Sequence, residues 1–159
     1  MQIEAKLGNL GFILPEPVQL PPGVVLPFAW TRVHGNRIYI SGHGPLDQDG
    51  TYSGVLGKVP SEVSLEQAQQ AAQKAALSVL SSLKRELGDL DRVTAWLMVS
   101  GFVNADPGFG QTTLVMNSFS DVVLRLYGSE VGRHARTAIG VAALPFNVPL
   151  VVAAEVEFV

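Results

Sequence analysis

Apolar residues between Ser64 and Leu87 recur at three- and four-residue steps: Leu65, Ala68, Ala72, Ala76, Val79, Leu83 and Leu87. That spacing is the buried stripe of an amphipathic helix. Ser64 and Gln67 match the S-x-x-Q capping box, and Gly88 stands where a left-handed residue ends a helix. A second stripe, Val115, Phe119, Val122 or Val123, and Leu126, predicts a helix from Gln111 to Tyr127 closed by Gly128. Ile3, Leu7 and Leu10 predict a short helix over residues 2 to 10.

Elsewhere the period falls to two, the signature of strands. Phe28 to Val33 and Arg37 to Ser41 flank His34-Gly35-Asn36 and read as a hairpin, with Ile38 and Ile40 opposite in facing to Tyr39 and Ser41. Arg92 to Phe102 sets Val93, Ala95, Leu97 and Val99 against Thr94, Trp96, Met98 and Ser100, so both faces read as covered. Gly54 to Lys58, Ala135 to Val141 and Leu150 to Phe158 are further strands. The order predicts an α+β domain with two long helices on one face of a mixed sheet. Residues 1 to 159 form one domain, in which 1 to 24 are the first helix and a proline-rich arm. That arm, reaching Pro27, is too stiff and donor-poor to join a sheet interior, so it packs along the domain. Little chain is left to cover the second sheet face, which predicts an oligomer.

The 47% hydrophobic and 16% charged content is that of a folded domain with much neutral surface. A net charge of −3 with scattered basic residues gives no footprint for nucleic acid. No cysteine is present, which excludes disulfides, thiolate catalysis and Cys-ligated zinc. The three histidines have no metal spacing, no apolar run reaches membrane length, and the expected location is the cytoplasm.

In Ala135 to Val141, Arg136 shares a face with Ala138, Gly140 and Ala142, whereas Thr137, Ile139 and Val141 take the other. A guanidinium beside side chains too small to obstruct it suggests a shallow site for a carboxylate, which arginine's planar fork binds through two parallel bonds. The pattern equally allows a solvated strand-end arginine.

The tract Tyr39-Ile40-Ser41-Gly42-His43-Gly44-Pro45-Leu46, then Leu87-Gly88-Asp89-Leu90-Asp91-Arg92-Val93, Asn117, Ala135-Arg136 and Leu144-Pro145 stand in an order and spacing that resemble the RidA/YjgF family, also called endoribonuclease L-PSP-like. The likeness spans roughly residues 25 to 158, and the N-terminal extension resembles a longer subgroup. It implies a chorismate-mutase-like fold and a homotrimer with clefts between subunits. It also implies cofactor-free hydrolysis of enamines and imines such as 2-aminoacrylate to 2-keto acid and ammonia. Carried over by motif, Arg136 anchors the carboxylate and the Ala138 backbone meets the nitrogen. Phe28, Ser41 and Asn117 shape the cleft, and His43 and His134 are candidates for its rim.

One departure matters. The family's Glu-x-Glu stretch, six residues beyond the turn proline, falls on Val151 and Ala153. Glu155 replaces the missing carboxylate only if a longer Phe146 to Leu150 loop shifts the register. The resemblance therefore leaves two expectations, a deaminase or a trimer that binds small carboxylates without that chemistry.

Overall fold

The computed structural model describes all residues, Met1–Val159. Its elements are α1 (Gln2–Asn9), β1 (Thr31–His34), β2 (Arg37–His43), α2 (Leu65–Leu87), β3 (Val93–Asn104), α3 (Thr112–Gly132), β4 (Ala135–Val141) and β5 (Leu150–Phe158). The sheet runs β1-β2-β5-β3-β4, with only β3 and β4 parallel. Helices α2 and α3 pack on one face of this mixed α+β sheet, as the periodicity predicts. No helix is long and apolar enough to cross a membrane.

Local chemistry sets the ends. Ser64 Oγ accepts from Gln67 N while Gln67 returns a bond to Ser64 N, completing the capping box, and Gly88 closes α2 in the left-handed region at φ 77°. The α2 stripe is alanine-rich, so Ala68, Ala72, Ala75 and Ala76 let the helix lie close to its neighbours, all fully buried. Gly128 breaks α3 at φ 71°, after which one more turn runs to Gly132. α1 has no side-chain cap of its own; Asp91 supplies one from across the chain, accepting from Met1, Gln2 and Ile3 N–H groups at 2.5, 2.6 and 2.8 Å.

Two departures from strict alternation reshape the core. In β3, register shifts at Val93/Ala95 and Trp96/Met98 bring Val93, Trp96 and Val99 to the buried face. Trp96 is thus core, not part of a second covered face; opposite it, Met98, Ser100 and Phe102 are only half-buried. In β2, a shift between Ile40 and His43 turns His43 inward beneath α2. Gly54 to Lys58 is not a strand: only single bridges form nearby, Leu46 with Tyr52 and Val59 with Ala105.

The proline-rich arm is tied down. Glu16 N donates to Gln48 O, Gln19 N to Gly50 O, and Ser81 Oγ to Pro15 O. Gly50 is buried at φ 84°, and a Cβ there would fall inside the Pro17 carbonyl. Gly50→Ala should therefore destabilise the fold by roughly 2 kcal/mol or more and loosen the arm. Urea unfolding and limited proteolysis between residues 15 and 27 measure both effects; an unchanged cleavage rate would mean the arm is held elsewhere.

Candidate functional site

β4 is an edge strand, and its outer edge meets no other strand of the chain. Val141 gives its carbonyl to Ala105 N on the β3 side, whereas Ala138 gives its carbonyl to the Thr112 hydroxyl at 3.0 Å. Since an extended residue points its N–H and C=O to the same edge, Arg136, Ala138 and Gly140 present their amides at the free edge. Their side chains point to α3. The small-residue row is covered only in part: Ala138 is half-buried against the core, whereas Gly140 and Ala142 are exposed. Arg136, at the start of the row, is half-buried.

There the first half of α3 lays Thr113, Asn117 and Ser120, spaced four and three residues apart, along one helix face. Arg136 Nη1 donates to Ser120 Oγ at 3.0 Å, and Nη2 to Asn117 Oδ1 at 3.0 Å and Thr113 O at 3.5 Å. None of the protein's ion pairs includes Arg136. Burial lowers the pKa of this half-buried guanidinium, which nonetheless stays charged near neutrality.

His134 Nδ1 lies 2.7 Å from Gly132 O and Nε2 lies 2.8 Å from Ser120 Oγ. A carbonyl can only accept, so Nδ1 carries the proton and the Ser120 hydroxyl donates to Nε2. Ser120 thus links the neutral imidazole to the guanidinium, and the pair orients Arg136 instead of supplying a free base. Ser120 lies off the apolar stripe that predicts α3; its signal in the sequence is the polar spacing Thr113, Asn117, Ser120.

The remaining predicted residues lie elsewhere. Phe28, 52% exposed, meets the edge of Trp30 at 5.5 Å, and Ser41 Oγ donates to Ala29 O at 2.7 Å. His43 is buried against Ser82 and Trp30. β2 stands three strand positions from β4, about 14 Å away, so within one chain these residues do not join Arg136. Glu155 does not join it either. It pairs with Tyr39 and Met98 on the sheet face away from the helices, where Arg37 Nη1 holds it at 2.9 Å. Val151, opposite Phe102, lies on the same sheet face four residues before Glu155, and β5 runs between them without a register shift against β3. The cluster Glu4, Asp89 and Asp91 is acidic enough to suggest a cation, but the Met1 ammonium and Lys84 already occupy it.

Burial lowers the pKa of both His43 and His134; a carbonyl bond opposes this, and the nearby Arg85 or Arg136 adds to it. Between the depressed folded pKa and the ordinary 6.5, the unfolded chain binds more protons. Their contribution is therefore complete above 6.5 and is lost as pH falls toward the folded values. The urea midpoint should fall from about pH 7 to about pH 5, less steeply in His43→Gln. A midpoint that rises on acidification would contradict the burial of these rings.

The chain is an α+β domain with an arginine at the free edge of its sheet. No protein-family model matches the chain. It is 42% identical over 157 residues to the Trypanosoma cruzi protein TCP17, covering 98% of this chain and 94% of that one. The Agrobacterium tumefaciens protein Atu1372 is 35% identical, with a TM-score of 0.86 over 99% of this chain and 92% of the other. RidA from an Antarctic Psychrobacter superposes at a TM-score of 0.57 with 18% identity, covering 90% of this chain and 99% of that structure. The chain belongs to the RidA/YjgF family.

Proposed function

We propose that this chain is an enamine and imine deaminase, acting as a homotrimer on small 2-imino acids such as the tautomer of 2-aminoacrylate. The observation that carries the reading is Arg136: a guanidinium oriented by Ser120 and Asn117, unpaired with any carboxylate, beside outward-facing strand amides. A substrate carboxylate takes the fork, and the edge at Ala138 meets the imine nitrogen. Water adds to C2 of the C=N bond; the carbinolamine then expels ammonia and leaves the 2-keto acid. Holding the imine and water together lowers the barrier without a cofactor.

The separation between Arg136 and the Phe28–Ser41 region supports a cleft between copies. β1 and β4 are both free edges, and the face away from the helices exposes Tyr39 and Ile139, each 44% accessible. A neighbouring subunit laid against these surfaces brings Phe28 and Ser41 of one copy to Arg136 of the next.

A second reading has its own support. Val151 provides no base and Glu155 is committed to Arg37, which favours a trimer that binds carboxylates without hydrolysing them. To separate the two, 2-aminoacrylate is generated in situ by a pyridoxal-phosphate lyase, and pyruvate and ammonia are followed with and without the protein. Acceleration over the spontaneous rate supports the deaminase. Saturable binding of 2-oxobutanoate with no acceleration selects the second reading.

A further inference from the structure

Under the proline-rich arm, between β1, β2 and α2, lies a cavity of about 240 Å³. Its polar end is built by Arg85, Ser82 and His43, and its apolar walls include Trp30, Leu46 and Leu20. The polar end repeats the chemistry of the β4 edge. Arg85 Nη2 donates to Ser82 Oγ at 3.1 Å, Ser82 Oγ lies 2.8 Å from His43 Nε2, and His43 Nδ1 lies 2.5 Å from Ser41 O. At Arg136 the same sequence of arginine, serine, histidine and the carbonyl two residues earlier spans 3.0, 2.8 and 2.7 Å. Again the carbonyl fixes the proton on Nδ1, and the serine hydroxyl is spent between imidazole and guanidinium.

Arg85 has five N–H donors; one reaches Ser82 and another Ser81 at 2.6 Å, leaving three without a protein acceptor. No ion pair includes it, although Glu16 lies near enough to be felt. Glu86 lines the cavity, where its carboxylate accepts from Thr31 Oγ1 at 2.6 Å.

We propose that this cavity is a second ligand site, for a small monocarboxylate bearing an aromatic or branched apolar tail. Arg85 takes the carboxylate, and the tail lies against Trp30, Leu46 and the arm. One guanidinium beside a neutral imidazole, with Glu86 on the lining and Glu16 outside, suits a single negative charge and opposes a phosphate dianion. A cavity smaller than the roughly 300–1,000 Å³ of drug-sized pockets limits the tail to about one ring. The site is independent of turnover at Arg136, so neither proposal stands or falls with the other.

The test uses the full chain labelled with ¹⁵N-histidine, titrated with phenylacetate and with neutral phenylacetamide. Phenylacetate should shift the His43 imidazole resonances saturably. The response should weaken about 10- to 100-fold in Arg85→Gln and with the amide, and persist in Arg136→Gln. Three outcomes overturn the proposal: no His43 response in the millimolar range, equal responses to acid and amide, or a response that disappears in Arg136→Gln and so reports the β4 edge. If Arg85→Gln proved unstable, the acid–amide comparison in the unmodified protein decides alone.

Discussion

Arg136→Ala is expected to lower kcat/KM for 2-aminoacrylate by at least about 100-fold and to abolish carboxylate binding, while the protein stays folded. The loss is large because the fork's two charge-assisted bonds are what anchor the carboxylate in the proposed site. Stability should change by no more than about 1 kcal/mol, since Arg136 is half-buried and its partners Ser120 and Asn117 can turn to water. Arg136→Lys should recover little, because an ammonium is a point charge without the planar fork. Asn117→Ala should fall between, as it frees one side of the guanidinium but leaves Ser120 in place. Turnover in Arg136→Ala equal to that of the unmodified chain would remove the arginine from the site altogether. Loss of activity accompanied by unfolding would be uninformative by itself, so circular dichroism and sedimentation accompany the kinetics.

Most of the architecture was legible from local pattern. Ser64, Gln67 and Gly88 delimit α2 because caps are written in adjacent residues, and the Gly35-Asn36 hairpin is similarly local. Alternation failed where strands bulge. One shift in β2 sends His43 under α2, and two in β3 send Trp96 into the core, because bulges answer to partner strands and not to the chain itself. Of the candidate site, the structure brings together one part and separates another. Arg136 and Asn117 do meet, since α3 leads directly into β4. Phe28 and Ser41 do not, because the strand order β1-β2-β5-β3-β4 places two strands between the hairpin and β4. Of the small residues after Arg136, Gly140 and Ala142 stay exposed as an open row would, while the Ala138 carbonyl is taken by Thr112 of α3.

Val151→Glu is expected to raise turnover of 2-aminoacrylate by about 10²- to 10⁴-fold, the range contributed by a positioned base. Family resemblance puts the water-placing glutamate at this position. Val151 is half-buried on the sheet face away from the helices, and a Cβ on its neighbour Gly42 would come within 2.6 Å of its Cγ1. Glycine at 42 therefore keeps the side chain at 151 against the Ser41-Gly42 turn. In the proposed cleft, that turn faces the neighbouring subunit's arginine edge. Partial burial there would raise the new carboxyl's pKa toward neutrality, which suits a base that must accept a proton from water. Val151→Gln is the control: it matches the size and polarity without the charge, and should leave the rate where it was. A gain in both variants would trace the effect to polarity or packing. A gain in neither, with 2-oxobutanoate still bound at Arg136, would show that the cleft holds its carboxylate without a water at that position. The non-hydrolytic reading would then be the better account of the chain.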